Sequence, residues 1–297
     1  MAPPEKEDFF RVGPSHLNPV DWFFGFRLIE CLRDERDSSI FCAVYELIHS
    51  PDTRPPQYVV AFRGTANTSD NWKRDYKLNL QIIFNGLQST SPFQKGLQKV
   101  SELSQSTPQT NVWLAGYSQG SAISLLIGSY LVRNIGIHLE IYLFNPPFIS
   151  PPIEWIPKNL KFGVRLVKTL LIGKYCRPND ENNSNDDDPF GKLSSWFPNL
   201  FVNRLDPICG EYIGYFEHRK KMKLIGLQEA EKVATKYSVT NTLLSAARGK
   251  VASPAAHLIP SANLTISSTS SRCFIKAHKL RQWWSQDSQL ESKTYTI

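Results

Sequence analysis

The sequence of 297 residues lacks any apolar run near the roughly 20 residues that a helix needs to cross a bilayer. Its first stretch, 1–8, is acidic and contains two prolines, so it has no apolar core of the kind that a secretory signal requires. These absences argue against a membrane-spanning or secreted protein. From the sequence we expect a protein located inside the cell, in the cytoplasm.

Cysteine is also scarce. The five cysteines are an odd number, they are scattered along the chain, and no two of them have Cys-x-x-Cys spacing. This pattern argues against a disulfide framework and against a zinc site. Reduced thiols and no bound metal are therefore expected.

The charge balance is basic, with a net charge of +7 and an isoelectric point close to 9.1. Such a balance can attract a protein to nucleic acid or anionic lipid. The sequence contains no zinc-finger spacing, no RNP-like aromatic motif and no concentrated basic stripe, so a nucleic-acid partner is not expected. A basic solvated surface is the simpler interpretation, and the sequence does not define an oligomeric state.

Hydrophobic residues make up 41% of the chain and charged residues 21%, which is an ordinary globular composition. A chain of this length can form one α/β domain. We predict an N-terminal arm over 1–18, a single domain over 19–285 with an inserted segment at about 148–196, and a C-terminal tail over 286–297.

The first part of that domain alternates patterns typical of helices and strands. Apolar residues at spacings of three and four predict a helix over 22–29. Two apolar runs separated by a turn-rich stretch predict a β-hairpin from 40–47 and 57–62. A further helix is predicted over 92–103.

The most informative stretch is 112–128, where an apolar run of strand length enters Gly-x-Ser-x-Gly and a helix of small and apolar residues leaves it. This is the sequence context of a nucleophile elbow, in which a strained turn projects the serine hydroxyl from the end of a strand. Gly116 and Gly120 provide the clearance that the strand and the helix need. Ser118 is therefore the candidate nucleophile.

Another buried strand, over 138–144, follows the elbow helix. Strand, helix and strand in this order predict a right-handed crossover and a parallel sheet. The predicted fold class is α/β, with a mainly parallel central sheet flanked by helices.

A serine hydroxyl is a poor nucleophile at neutral pH and needs a histidine base that a buried carboxylate orients. In hydrolases built on this elbow, the chain order is Ser, then Asp or Glu, then His. Asp206 fits the second place because it follows a strand predicted over 200–205, and in a parallel sheet this position lies at the same edge as Ser118. The alternative is an aspartate that caps a Leu-Asp-Pro turn.

Three histidines follow Asp206 in the sequence. His218 lies in a charged run that is typical of a solvated face. His257 and His278 both remain candidates for the base, since either can also be a structural histidine. His278 precedes the aromatic pair at 283–284, which can pack against its imidazole and restrict its motion.

An oxyanion hole needs two N–H donors near the nucleophile. Gln119 can supply one, because it follows Ser118 at the start of a helix, where backbone donors have no intrahelical partner. Thr65 can supply the other, because it follows the predicted strand 57–62.

Several motifs together carry a resemblance to a known family. They are Phe62-Arg63-Gly64-Thr65, Asn71-Trp72 with Asp75, Gly116-Tyr117-Ser118-Gln119-Gly120, Asp206-Pro207, and Ala277-His278 before an aromatic pair. In these motifs the chain resembles the class 3 lipase family of α/β-hydrolases, especially its plant lipase-like branch. Some members of that branch carry the label GDSL esterase/lipase, although this chain contains no Gly-Asp-Ser-Leu block.

The resemblance implies an α/β-hydrolase fold and a role for each candidate residue. Ser118 would be the nucleophile, Asp206 the orienting acid and His278 the base, which decides between His278 and His257. Thr65 and Gln119 would be the oxyanion donors.

The function that the resemblance implies is a serine carboxylester hydrolase, of lipase or esterase type, that acts on an acyl lipid or another ester through an acyl-enzyme. No cofactor is implied. The alternative is a catalytically silent lipase-like protein with an interaction or signalling role. The basic amphipathic segment 155–175 could contact an anionic membrane surface, although a helix packed on the sheet has the same pattern.

Overall fold

The computed structural model describes residues 25–48, 55–64, 87–148, 191–226, 258–268, 274–285 and 289–296. In these ranges the strands are β1 (Phe26–Arg33), β2 (Ile40–Leu47), β3 (Tyr58–Phe62), β4 (Val112–Tyr117), β5 (Glu140–Phe144), β6 (Asn199–Asn203), β7 (Ala262–Ser267) and β8 (Leu290–Tyr295). The α-helices are α1 (Ser91–Ser106), α2 (Gln119–Ile135), α3 (Glu211–Leu224) and α4 (Phe274–His278). Short 3₁₀ helices cover Gln109–Asn111, Gly191–Leu193 and Leu280–Trp284.

The eight strands form one sheet in which spatial order equals chain order, from β1 to β8. Strands β3 to β7 are parallel, whereas β1, β2 and β8 run antiparallel to their neighbours. The mixed α/β class, the β2–β3 hairpin and the parallel pairing around the elbow helix are confirmed. Because β4 to β7 are parallel, the residues that follow them meet at one edge of the sheet.

The core of the sheet is a layer of aliphatic side chains at paired positions of neighbouring strands. Leu143 of β5 pairs with Leu200 of β6, which pairs with Leu264 of β7. All three are fully buried. Burial of a leucine side chain contributes roughly 1.5–3 kcal/mol, so this layer fixes the register of the strands that carry the site.

Helix α2 packs on β3, β4 and β5. It is buried on almost all sides, because small residues let it lie close to the strands. A Cβ atom on Gly128 would come within 2.6 Å of the Trp196 ring and within 2.8 Å of the Ile141 side chain. Glycine at that position therefore sets the distance between the helix and the sheet.

Helix α1 confirms the predicted helix over 92–103 and begins one residue earlier. The Thr90 side chain caps it by accepting a hydrogen bond from the Phe93 N–H at 3.4 Å. Phe93 and Val100 are buried on the side that faces the core. A Cβ atom on Gly96 would meet the Phe62 ring at 2.7 Å, so this helix also lies close to β3.

The predicted helix over 22–29 is wrong where the structure describes it, since residues 26–29 belong to β1. The pairing of β1 with β2 shifts between Leu28 and Glu30, which is a bulge that places Ile29 out of alternation. Apolar residues on both sides of a bulge are no longer spaced by two, and their spacing imitates a helical pattern.

The predicted C-terminal tail over 286–297 is also corrected. Residues 290–295 form β8, which pairs with β7 along its whole length, from Leu290 opposite Ser267 to Tyr295 opposite Ala262. The strand is at the sheet edge and mostly exposed, so its sequence carries no apolar alternation. Tyr295 packs on Phe216 of α3 with ring centroids 4.9 Å apart.

His218 is the third correction, because it is buried in α3 and does not lie on a solvated face. The arm 1–18, most of the inserted segment 148–196 and the amphipathic segment 155–175 lie outside the described residues. Among the helices that the structure describes, none has the length and apolar character needed to span a membrane.

Candidate active site

The turn between β4 and α2 places Ser118 at the end of a parallel strand. Ser118 has φ 52° and ψ −119°, a conformation that costs a non-glycine residue of order 1–3 kcal/mol. Its backbone N–H donates to the Phe144 carbonyl of β5 at 2.9 Å, and this bond fixes the turn against the next strand. The side chain is 3% exposed. This strained backbone conformation at the serine is the one expected in a nucleophile elbow.

Gly116 and Gly120 make this turn possible. A Cβ atom on Gly116 would lie 2.6 Å from the Gly120 carbonyl oxygen, across the strand–helix turn. A Cβ atom on Gly120 would collide with the Phe62 carbonyl oxygen and would lie 2.7 Å from that of Arg63. These neighbours are backbone atoms, which cannot turn aside as a side chain can.

Gly64 allows the chain after β3 to lie close to Ser118, the candidate nucleophile. A Cβ atom there would lie 2.9 Å from the Tyr117 carbonyl oxygen and 3.2 Å from Cβ of Ser118. From the sequence, only Thr65 of the Arg-Gly-Thr motif was assigned a role in the site. In the structure, the glycine of that motif lies close to Ser118. Thr65 itself lies outside the described residues.

The acid candidate, Asp206, lies in the loop after β6 and is fully buried. Its Oδ1 accepts a hydrogen bond from the Ile208 N–H at 3.0 Å, and its own N–H donates to the Asn203 carbonyl at 3.1 Å. These local bonds give the loop the conformation of an Asx turn. The turn-capping interpretation therefore holds for Oδ1, while Oδ2 accepts hydrogen bonds from side chains.

The base candidate, His278, is the last residue of α4. The Tyr117 hydroxyl donates to its carbonyl oxygen at 2.9 Å, and the two rings have centroids 5.5 Å apart. Tyr117 directly precedes Ser118, the candidate nucleophile, so this contact connects the end of α4 to the turn after β4. The His278 side chain is 12% exposed.

The structure brings Ser118, His278 and Asp206 together. His278 Nε2 lies 3.0 Å from Ser118 Oγ, and His278 Nδ1 lies 2.8 Å from Asp206 Oδ2. These distances are those of hydrogen bonds between a nucleophile and its base, and between the base and an orienting carboxylate. Gln119 opens α2 beside Ser118, with its N–H at the helix start. The alternative base His257 lies outside the described residues.

Sequence reasoning missed a set of buried polar residues around Asp206 and His278. They are Asn145, Asn203, Cys209 and Gln282, each less than 9% exposed. Asn203 Nδ2 donates to Gln282 Oε1 at 2.6 Å, and the Gln282 amide donates to the Ala277 carbonyl. The available signal was position, since Asn145 directly follows β5 and Asn203 ends β6 at the sheet edge that carries Ser118, but position alone does not predict a role.

Cys209 is fully buried and donates from Sγ to Asp206 Oδ2 at 3.1 Å. Burial, and next the negative charge of Asp206, raise the pKa of this thiol well above its ordinary value. The thiol therefore stays protonated and remains a donor to the carboxylate. In the unfolded chain the same thiol ionises near its ordinary pKa of about 8.5.

This difference predicts a pH dependence of stability. Above about pH 8.5, unfolding releases the Cys209 proton, so the free energy of unfolding falls as pH rises, by up to about 1.4 kcal/mol per pH unit for this group. Urea denaturation of the wild type and of Cys209→Ser at pH 7.5, 8.5 and 9.5 measures it. Serine does not titrate in this range, so the free energy of unfolding of the variant should fall less steeply above about pH 8.5, by up to about 1.4 kcal/mol per pH unit. Equal slopes in the two proteins would contradict the protonated thiol.

Among the residues that the structure describes, no three His, Cys, Asp or Glu side chains are grouped to hold a metal ion. A hydroxyl, an imidazole and a carboxylate in this order can transfer an acyl group.

Comparison with known proteins places this site in context. The chain is similar to a protein from Arabidopsis thaliana named GDSL esterase/lipase. The two are 35% identical over an alignment that is 351 positions long, gaps included, and that covers 98% of each chain. No protein-family model matches the chain, and no solved structure matches it.

Proposed function

Because the chain belongs to the same esterase/lipase family as its Arabidopsis relative, we propose that it is a serine carboxylester hydrolase with Ser118 as the nucleophile. His278 is the general base in this proposal, and Asp206 orients it. The observation that carries the proposal is the continuous path of hydrogen bonds from Ser118 Oγ through His278 to Asp206 Oδ2, at 3.0 and 2.8 Å.

The proposed reaction has two halves. His278 Nε2 takes the Ser118 proton while Oγ attacks the ester carbonyl, and a tetrahedral oxyanion forms. The imidazolium then protonates the leaving alcohol, which leaves an acyl-enzyme. Water, deprotonated by the same imidazole, attacks the acyl-enzyme and releases the carboxylic acid. Asp206 balances the charge of the imidazolium in both halves.

The oxyanion is proposed to bind the Gln119 N–H and a donor from Thr65. The position of Gln119 at the start of α2 supports the first donor. The close approach of Gly64 to Ser118 supports the second, because Thr65 is the next residue. Loss of one such donor costs about 3–4 kcal/mol of transition-state stabilisation.

The finer family assignment is part of the proposal. We place the chain with class 3 lipases of the α/β-hydrolase fold, because the elbow and the Phe-Arg-Gly-Thr motif resemble that family. The relative is named for the GDSL group, but this chain has Gly-x-Ser-x-Gly and contains no Gly-Asp-Ser-Leu block. The proposed substrate is an acyl lipid or related ester, and segment 155–175 is a candidate for contact with a membrane.

A phosphonate that reacts with activated serines tests the proposal. The folded wild type should gain one covalent adduct, which mass spectrometry should locate at Ser118, and Ser118→Ala should gain none. Ser129→Ala is the matched control, because it removes another buried hydroxyl of α2 that bonds only to the helix backbone. Hydrolysis of p-nitrophenyl esters with short to long acyl chains then separates esterase from lipase preference.

Two results would contradict the proposal. The first is a folded wild type that neither reacts with the phosphonate nor hydrolyses any ester in the series, which would favour the silent lipase-like alternative. The second is an adduct at a residue other than Ser118, which would mean that the nucleophile is wrong.

A further inference from the structure

We propose that Asn145 is a positioning residue that holds Asp206 and His278 in the geometry required for proton transfer. The inference rests on the proposed hydrolase function and extends it to a residue outside the triad. Asn145 directly follows β5, which lies between the elbow strand and the strand that leads to Asp206, and it is fully buried. A polar side chain buried to that extent must have its hydrogen bonds satisfied.

The backbone of Asn145 is held in an unusual conformation. Its φ is 49°, in the left-handed region that asparagine tolerates better than most residues other than glycine. Its N–H donates to the Phe201 carbonyl of β6 at 2.9 Å. This conformation ends the strand and turns the side chain toward the loops that carry the acid and the base.

The carboxamide of Asn145 then joins three parts of the site. Its Nδ2 donates to Asp206 Oδ2 at 2.8 Å and to the Ala277 carbonyl, next to His278, at 3.1 Å. Its Oδ1 accepts from the Trp283 indole N–H at 2.8 Å. The indole N–H can only donate, so it must face the amide oxygen, and this fixes Nδ2 on the side of Asp206.

The shared atom in this arrangement is Asp206 Oδ2. It accepts hydrogen bonds from Asn145 Nδ2, from Cys209 Sγ and from His278 Nδ1. Donors from fixed elements set the position of the carboxylate. Asn145 also holds the residue before His278, so a single amide fixes the distance between the acid and the base.

Gln282 provides a matched comparison in the same region. It is buried, and its amide donates to the same Ala277 carbonyl, but its described hydrogen bonds go to Asn203 and to backbone and do not reach Asp206. Loss of the Gln282 amide should therefore loosen the loop that carries His278 without changing the donors on Asp206. Loss of the Asn145 amide should do both.

The variants are Asn145→Asp, Asn145→Gly and Gln282→Met. Aspartate keeps the size of the side chain and tolerates the left-handed backbone, but it removes the donor and adds negative charge beside Asp206. Glycine removes the donor without adding charge and accepts φ 49° freely. Methionine at 282 keeps volume and removes the amide.

We expect both Asn145 variants to lower kcat by about 10- to 100-fold with KM nearly unchanged. A loss of this size corresponds to the loss of one hydrogen bond to a charged group. The acidic limb of the pH profile of kcat/KM should move to higher pH in both variants, because a carboxylate with fewer hydrogen-bond donors favours the protonated imidazole. The limb should move further in Asn145→Asp, because that variant also adds negative charge. The groups that the described contacts place against this pair include Cys209, Tyr117 and Ser118. None of them is changed in these variants.

Gln282→Met should leave the acidic limb in place even if its activity falls. In a Ser118→Ala background, which does not turn over, NMR should detect the deshielded His278 Nδ1–H proton. That signal should shift or disappear in both Asn145 variants and persist in Gln282→Met.

Two outcomes would overturn the role of Asn145. One is unchanged kcat in Asn145→Gly. The other is an unmoved acidic limb together with an unmoved Nδ1–H signal, because Asn145 would then only support the loop that carries His278, as Gln282 does. Absence of turnover and of phosphonate labelling in the wild type would instead defeat the hydrolase proposal, and the NMR comparison would still decide the role of Asn145.

Discussion

Replacement of Ser118 by alanine is expected to lower kcat/KM for ester hydrolysis by about 10⁶-fold. The Ser118 hydroxyl forms the acyl-enzyme in the proposed mechanism, and it lies 3.0 Å from His278 Nε2, which would activate it. The two groups act as one unit, so His278→Ala should cause a loss of similar size. The double variant should be no worse than either single variant, measured by steady-state kinetics on a p-nitrophenyl ester.

Two controls make this result specific. Ser124→Ala removes a buried hydroxyl that bonds to the carbonyls of Ala115 and Gly120, and it should retain most of the activity. His257→Ala should also remain active, since the proposal assigns the base to His278. Additive losses from Ser118→Ala and His278→Ala, or inactivity of His257→Ala, would contradict the assigned pair.

Asp206→Asn should lower kcat by about 10³- to 10⁴-fold with little change in KM. Three donors surround the position of Oδ2 and only the Ile208 N–H bonds to Oδ1, so the amide oxygen should occupy the position of Oδ2 and the NH₂ that of Oδ1, at the cost of the bond from Ile208. That orientation keeps the tautomer of His278 but removes the negative charge that stabilises the imidazolium. The loss should therefore come from the chemical step, which single-turnover kinetics measures directly.

Asp34→Asn is the matched control for this change. Asp34 is also a buried carboxylate that accepts hydrogen bonds, but its partner is Arg36 in the turn between β1 and β2. Neutralising it should lower the free energy of unfolding and leave kcat unchanged. A loss below tenfold in Asp206→Asn, or an equal loss in Asp34→Asn, would exclude a direct role for Asp206 in proton transfer.

The centre of the fold could be predicted from sequence because burial imposes simple patterns there. Strands β4 and β5 are apolar runs, and α2 is too rich in small and apolar residues to be anything but a buried helix. The edges could not be predicted in the same way. Strand β1 carries a bulge, and β8 is exposed, so neither shows the alternation that identifies a half-buried strand.

The candidate triad could be proposed because its order along the chain is diagnostic, although the choice of His278 over His257 came from family resemblance. Asn145 could not be found from sequence. An asparagine at a strand end before two prolines has the composition of an ordinary turn. Its role depends on three partners that lie 61 to 138 residues away along the chain, and only the folded sheet brings them together.

The order of the sheet has a consequence for how the protein is made. Each strand pairs only with the strands before and after it in the chain, so strands can add one at a time during synthesis, from the N-terminal side onward. The N–H of Ser118 bonds to β5, whereas His278 follows Ser118 by 160 residues. In the proposed mechanism, a growing chain therefore carries Ser118 without its base for more than half of its translation. Ser118 would become able to attack an ester only when α4, which follows the last parallel strand, places His278 beside it.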